Sequence, residues 1–294
     1  MKSHARIGLA LLLAAVPGPR PAAVAGAASE RVYVAVADSK GKPAAGLTAA
    51  DFSISVDDRM QEIESVAPAA DPVSIVIITD RLGLEPAYNH FVVHAALSGF
   101  VKTVHSALPS SLFALTTFDG PVVRVAGFSS PTGGFNRTIE RLTTNSPDAA
   151  LLDALADACR VLEGATTERR AIFAVFSGYR RDTSTGWNDT TAMALWQSKA
   201  SLWAIEVQST STPGVGSVGR EQVIHQGSQM SGGMSETVAS AVGIETMSRR
   251  MSDLIAKQYL ITYGPGGGGT TASRRKVTVG RKGLRVLAPV WNPR

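Results

Sequence analysis

Four nearly continuous apolar runs set the strongest limit on how this chain can fold. They are SIVIITD from Ser74, SLFALTTF from Ser111, AIFAVFS from Ala171 and SLWAIEV from Ser201. Runs of this kind are typical of strands that are buried on both faces in a parallel sheet. Helix-like stretches separate them at 88–107, 148–163 and 189–200, and Asp148 is the expected cap of the second. Strands alternating with helices predict a doubly wound, mostly parallel α/β sheet with right-handed crossovers.

Short alternating segments lie on both sides of this region. Three precede Pro72, namely RVYVAVAD, DFSISVDD and QEIESVAP, and three follow residue 257, namely QYLITY, RKVTV and LRVLAPV. Three short strands cannot bury their apolar face alone. We therefore expect 29–70 and 259–294 to build one small β-sandwich-like domain beside an α/β domain over 71–258. Within the α/β domain, a helix is predicted near 244–257, and 209–243 is interpreted as a mobile loop because it is rich in Ser, Gly and Met.

The first 28 residues have the order of a secretory signal peptide. Lys2 and Arg6 precede an apolar run from Ile7 to Val16, and small residues suited to cleavage follow, up to Ala28. The run has about ten residues, whereas a membrane span needs about 20. We expect the segment 1–28 to be cleaved and the mature protein to be secreted or periplasmic, with no transmembrane segment.

The charge of the chain bears on its partner classes, and its cysteine content bears on thiol chemistry. The net charge of +5 falls to +2 without the first 28 residues, which hold three basic residues and no acidic one. This balance does not indicate a nucleic-acid partner. Cys159, the single cysteine, lies on an apolar helix face and is predicted to be a buried, unreactive thiol. An anionic surface polymer is a further partner class, because basic residues gather near the end at Arg274, Arg275, Lys276, Arg281, Lys282 and Arg285.

Several segments together carry a family resemblance over nearly the whole mature chain. They are GLTAADFSISVDD, SIVIITD, ALLDALADA, QYLITYGP and RKGLRVLAPVW. With them the chain resembles von Willebrand factor type A-related proteins of the acidobacterial type. The resemblance implies a type A fold and an interaction or adhesion function. It also implies a divalent metal site at the carboxyl edge of the sheet, held by an Asp-x-Ser-x-Ser loop and by a threonine and an aspartate from two other loops.

The residues at the implied metal site depart from the family pattern. Asp80 matches, but Leu82 and Leu84 stand in place of the serines, Ala149 in place of the threonine and Gly178 in place of the aspartate. One carboxylate and water bind a divalent cation weakly. We therefore assign no metal ligands and expect no cofactor.

The sequence favours a non-enzymatic, metal-independent module whose protein partner docks at the carboxyl edge of the sheet. The expected contacts, of residue types enriched at binding hot spots, are Arg81, Tyr179, Arg180, Arg181 and Trp187. Without a metal, the arginines would offer positive charge to an acidic partner. One alternative is a metal-dependent adhesion domain that uses Asp80 with Asp148 and Asp182. A second is an enzyme with a dispersed active site, since catalytic residues need not be contiguous.

Overall fold

A mostly parallel sheet lies at the centre of the computed structural model, which describes residues 29–81, 90–131, 133–142, 146–178, 180–186, 188–208, 218–239, 241–264 and 273–292. In spatial order its strands are β12 (Met234–Val238), β11 (Ser201–Val207), β9 (Arg169–Ser177), β5 (Val73–Thr79), β6 (Leu112–Thr117) and β7 (Val123–Ser129). Only β7 runs antiparallel to its neighbour. The four apolar runs form β5, β6, β9 and β11, so the predicted α/β sheet is confirmed.

Helices cover both faces of this sheet. Within the described residues they are α1 (His90–Ala107), α2 (Gly133–Glu140), α3 (Leu151–Glu163), α4 (Asn188–Ser198), α5 (Val218–Met230) and α6 (Ala241–Ala256). Successive strand residues point to opposite faces. Ile75 and Ile77 of β5 pack with α1, α2 and α6, whereas Val76 and Ile78 pack with α3, α4 and α5.

The interpretation of Asp148 as a helix cap was wrong. Residues Asp148–Ala149 form β8, which pairs in parallel with β10 (Arg181–Asp182). The carboxylate of Asp148 binds the guanidinium of Arg181, so it is not available to the helix. Helix α3 starts after Ala150, which gives it no side-chain cap.

The interpretation of 209–243 as one mobile loop was also wrong for the part that the structure describes. Helix α5 and strand β12 occupy most of 218–238, and residues 209–217 and 240 lie outside the described ranges. Helix α5 is held by Val223 and Ile224, which are buried against the sheet. Strand β12 is held by parallel pairing with β11. Burial of these residues and of Met234, together with the pairing with β11, orders a segment that is otherwise largely polar.

Two four-stranded antiparallel sheets form a sandwich beside the α/β unit. In spatial order the first contains β15 (Arg285–Leu287), β1 (Glu30–Ala37), β13 (Tyr259–Tyr263) and β4 (Ile63–Pro68). The second contains β16 (Trp291–Asn292), β14 (Ser273–Val279), β2 (Phe52–Val56) and β3 (Arg59–Gln61), and a short 3-10 helix (Ala49–Asp51) precedes β2. Val34, Ile54 and Ile261 lie in the core between them. Segments from both ends of the chain thus share one core, while the exact domain boundaries stay a prediction.

The predicted signal peptide at 1–28 lies outside the described residues. In the part of the chain that the structure covers, helices long and apolar enough to cross a membrane are absent.

Candidate functional site

The carboxyl ends of β5, β6, β9 and β11 meet at one edge of the central sheet. In open α/β sheets this edge is the usual place for a ligand, because loops of neighbouring strands open a crevice there. Asp80 and Arg81 follow β5, Asp119 follows β6, and Arg180 follows β9. These residues form the centre of the candidate site.

Asp80 is fully buried and is held by the end of the neighbouring strand. The Ser177 backbone N–H donates a 2.9 Å hydrogen bond to its Oδ2, and the Ser177 hydroxyl donates another at 2.6 Å. The guanidinium Nε of Arg180 lies 3.4 Å from the same oxygen. A buried carboxylate requires a counter-charge or hydrogen bonds, and Asp80 has both.

Arg180 places its charge inside the protein and not on the surface. Its side chain is 1% exposed, and the ion pair with Asp80 supplies its counter-charge. Among the described residues, neither Nη1 nor Nη2 has a hydrogen-bond partner. The sequence predicted Arg180 as a partner contact, and its burial rules out direct contact in this conformation. The guanidinium instead neutralises the one carboxylate that the family pattern retains.

A second ion pair, between Glu206 and Arg220, lies beside Gly178. A Cβ atom at Gly178 would lie 2.5 Å from Oε1 of Glu206, whose side chain comes from β11. Arg220 of α5 lies 3.9 Å from the same oxygen and donates a 3.1 Å hydrogen bond to the Gly178 carbonyl. Its guanidinium also lies 6.0 Å from the ring centroid of Phe176. A longer side chain at 178 would therefore displace Glu206.

Burial of Glu206 raises the pKa of its carboxyl group, and the charge of Arg220 partly opposes that shift. Neither Glu206 nor Arg220 was predicted from the sequence to belong to the site. Glu206 was detectable as the one acidic residue in the apolar run SLWAIEV. Arg220 gave no such signal, because it lies 42 residues from Gly178 in a segment interpreted as a loop.

Arg81 and Asp119 connect the ends of β5 and β6. The Nε of Arg81 donates a 2.9 Å hydrogen bond to Oδ1 of Asp119, and Nη2 also contacts that oxygen. Arg81 has φ +68°, a left-handed conformation that costs a non-glycine residue about 1–2 kcal/mol. The backbone at Arg81 is thus strained, while its guanidinium contacts Asp119 and its side chain remains partly exposed.

Arg181 is the most exposed arginine at this edge. Its guanidinium holds Asp148 through two hydrogen bonds, of 2.8 Å from Nε and 3.0 Å from Nη2. This contact keeps the pKa of Asp148 below its usual range. With 72% of the side chain exposed, Arg181 is accessible to a partner. Tyr179 and Trp187, the remaining predicted contacts, lie outside the described residues.

The three carboxylates of the metal-dependent alternative do not form a ligand set. Asp80 binds Ser177 and Arg180, Asp148 binds Arg181, and Asp182 accepts a 3.0 Å hydrogen bond from the Ser184 N–H. Groups of three or more His, Cys, Asp or Glu side chains able to hold an ion are absent from the described ranges. A divalent cation at Asp80 would also lie beside the like charge of the Arg180 guanidinium. Asp80, Asp148 and Asp182 thus each have a different partner in the structure, and the metal-dependent alternative stays a prediction.

Comparison with known proteins gives the fold. No protein-family model and no curated protein matches this chain in sequence. Among solved structures, a von Willebrand factor type A protein from Catenulispora acidiphila aligns at 12% identity and a TM-score of 0.51, over 92% of this chain and 74% of the other. Proximal thread matrix protein 1 from the mussel byssus, with a zinc-occupied MIDAS motif, aligns at 15% identity and a TM-score of 0.52. That alignment covers 68% of this chain and half of the mussel protein.

Proposed function

Because this chain has a von Willebrand factor type A-related fold, we propose that it is an exported interaction module that binds a protein partner without a divalent metal. The observation that carries this proposal is the buried ion pair between Arg180 and Asp80. In the family pattern Asp80 would hold a cation. Here a side chain of the protein itself supplies that positive charge.

Four ion pairs organise the proposed binding edge. They are Arg180 with Asp80, Arg220 with Glu206, Arg81 with Asp119, and Arg181 with Asp148. The first two are largely buried and fix the ends of β9 and β11, so they position the loops. In the last two the arginine reaches the surface, partly for Arg81 and largely for Arg181, and we assign to these arginines the electrostatic contact with the partner. Tyr179 and Trp187 stay proposed contacts on the same loops.

The accessible pairs favour an acidic partner surface. Arg181 can exchange Asp148 for a partner carboxylate, because an exposed ion pair is weak, about 0–1 kcal/mol. Its planar guanidinium binds a carboxylate with two parallel hydrogen bonds, which gives directionality as well as charge. An anionic surface polymer would use the basic strands of the sandwich, so the two partner classes contact different parts of the molecule.

Thermal unfolding with added metal tests metal independence. At about 1 mM Mg²⁺, Ca²⁺ or Mn²⁺, a dissociation constant above about 1 mM stabilises the protein by less than about 0.4 kcal/mol. We therefore expect Tm to change by less than about 2 °C relative to a sample with EDTA. A rise of several degrees that disappears in Asp80→Asn would contradict the proposal.

Photo-crosslinking tests the docking edge. A crosslinking amino acid is placed at position 181, or at position 249 as control, and each protein is exposed to the native exported fraction. Arg249 is a matched control because it is also exposed and paired with an acid, Glu245, but lies on α6. We expect one crosslinked protein from position 181 and none from position 249. Equal crosslinking from both, or crosslinking to polymer alone, would show that the edge does not bind a protein.

A further inference from the structure

A large groove opens at the opposite end of the central sheet. Its volume is about 1140 Å³, and it lies between helices α4 and α5 on one side and the start of β1 on the other. The first residues of β9 and β11, including Arg170 and Ser201, close its base. The groove is thus at the amino ends of the strands, away from the proposed docking edge. Its volume is slightly above the usual range for small-molecule sites, which is about 300–1,000 Å³.

One wall of the groove is apolar and deformable. Met193 and Trp196 are three residues apart on α4 and share a helix face, and Met230 projects from the end of α5. Met193 is 47% exposed and Met230 is 43% exposed, which places both among the most exposed large apolar residues of the described chain. Methionine adapts its shape to different apolar groups and is common at surfaces that bind peptides.

The same wall contains an unused hydrogen-bond donor. The indole Nε1 of Trp196 is buried and has no hydrogen-bond partner in the part of the chain described. A buried N–H without an acceptor costs about 1–3 kcal/mol, so a ligand carbonyl oxygen would be stabilised there once a small side-chain movement opens access to the nitrogen. Gln222 and Gln226, four residues apart on α5, add exposed amide groups that can both donate and accept.

The lining of the groove carries more positive than negative charge. Its basic residues are Arg31, Arg169, Arg170, Lys199 and Arg275, and its acidic residues are Glu168 and Asp189. Arg31 pairs with Asp71 and Glu168, and Arg169 is bonded to Gln258 and to backbone carbonyls. Lys199 is exposed and forms no ion pair with any described residue. It is three residues beyond Trp196, so a free cation lies beside the apolar wall.

We propose that this groove binds an extended peptide segment of a partner protein, with a large apolar side chain between Met193 and Met230 and an acidic side chain at Lys199. A main-chain carbonyl of the peptide accepts the hydrogen bond of Trp196. A peptide combines the three required groups, an apolar side chain, a carbonyl and a carboxylate, within a few residues. The glutamine amides of α5 pair with further main-chain groups, as amide side chains do with peptide bonds.

The first step of the test is to select a peptide that binds the groove from a random library displayed on phage. The full chain is the bait, and the double variant Met193→Lys with Met230→Lys is used for counter-selection. We expect the enriched peptides to share a large apolar residue near an acidic one. Trp196→Phe removes the N–H donor together with part of the ring area and should weaken binding of a selected peptide about tenfold. Lys199→Ala should weaken it by a smaller factor that shrinks further at high salt.

Methyl NMR locates the binding site directly. In protein with ¹³C-labelled methionine methyl groups, a selected peptide should shift the signals of Met193 and Met230. Met60 is the matched control because it is 69% exposed but lies on β3 of the sandwich. The variant Met60→Lys should bind the peptide as the wild type does.

Three results would overturn the inference. In the selection, these are a failure to find peptides that bind the wild type better than the double variant, and enrichment of basic peptides. In the NMR experiment, it is a shift of the Met60 signal in place of the Met193 and Met230 signals. The test is independent of the carboxyl edge. Crosslinking from position 181 can therefore fail while the groove still binds a selected peptide. The groove can likewise fail to bind a peptide while crosslinking from position 181 succeeds.

Discussion

Neutralising either member of the Arg180–Asp80 pair should destabilise the protein far more than neutralising both. Removing one partner of a buried ion pair leaves an uncompensated charge and costs about 3–5 kcal/mol. At 2–4 °C per kcal/mol for a chain of this size, Asp80→Asn should lower Tm by roughly 6–20 °C. The double variant Asp80→Asn with Arg180→Met has no buried charge in place of this pair, so it should lose less stability than either single variant.

The structure predicts an order among the single variants. After Arg180→Met, the carboxylate of Asp80 retains both hydrogen bonds from Ser177. After Asp80→Asn, the Arg180 guanidinium has no counter-charge, and its Nη1 and Nη2 have no described hydrogen-bond partner to compensate. Asp80→Asn should therefore be the more destabilising of the two.

Urea unfolding at pH 7, followed by circular dichroism, gives the free energy of unfolding of all four proteins. The double-mutant cycle should yield a coupling energy of at least about 2 kcal/mol, within the range for residues in direct contact. A coupling below about 0.5 kcal/mol, or an unchanged stability for Asp80→Asn, would show that the pair does not replace a cation at this edge.

Three further predictions concern other residues. Burial raises the pKa of the Cys159 thiol to about 12, so a thiol reagent at pH 8 should label the protein only after it is unfolded in urea; rapid labelling of the native chain would contradict this. Arg181→Gln should raise the pKa of Asp148 toward its ordinary value in a ¹³C NMR titration. Because the native carboxyl has the lower pKa, the contact stabilises the fold above about pH 4 and this stabilisation is lost as the pH falls. Mass spectrometry of exported protein should find an N-terminus between Gly26 and Glu30, and an intact Met1 on that protein would refute cleavage.

Sequence patterns located the elements whose stability comes from long apolar runs. Strands β5, β6, β9 and β11 are buried on both faces, so their identity is visible in the residues themselves. Helix α5 and strand β12 were missed because few of their residues are apolar. Their order comes from Val223, Ile224 and the pairing with β11, which are tertiary effects that a local pattern does not contain.

The candidate site was predictable in position but not in its interactions. Asp80, Gly178 and Arg180 follow neighbouring parallel strands, so their place at one edge follows from the fold class. The orientation of Arg180 does not follow, because a loop arginine can point to solvent or inward. Glu206 and Arg220 come from a strand and a helix that are distant in sequence, and only the folded chain brings them to Gly178.

The shared core of the sandwich has a consequence for synthesis. Strand β1 pairs with β13 and β15, and Glu30 meets Tyr263, more than 200 residues later. At about 5–20 residues per second, the apolar face of β1 remains without its partners for roughly ten to fifty seconds while the chain elongates. The α/β unit does not shorten this wait, because its last helix ends at Ala256, immediately before β13 begins at Tyr259. Val32, Val34 and Val36 are therefore an apolar face of the nascent chain that becomes buried only when the last strands arrive.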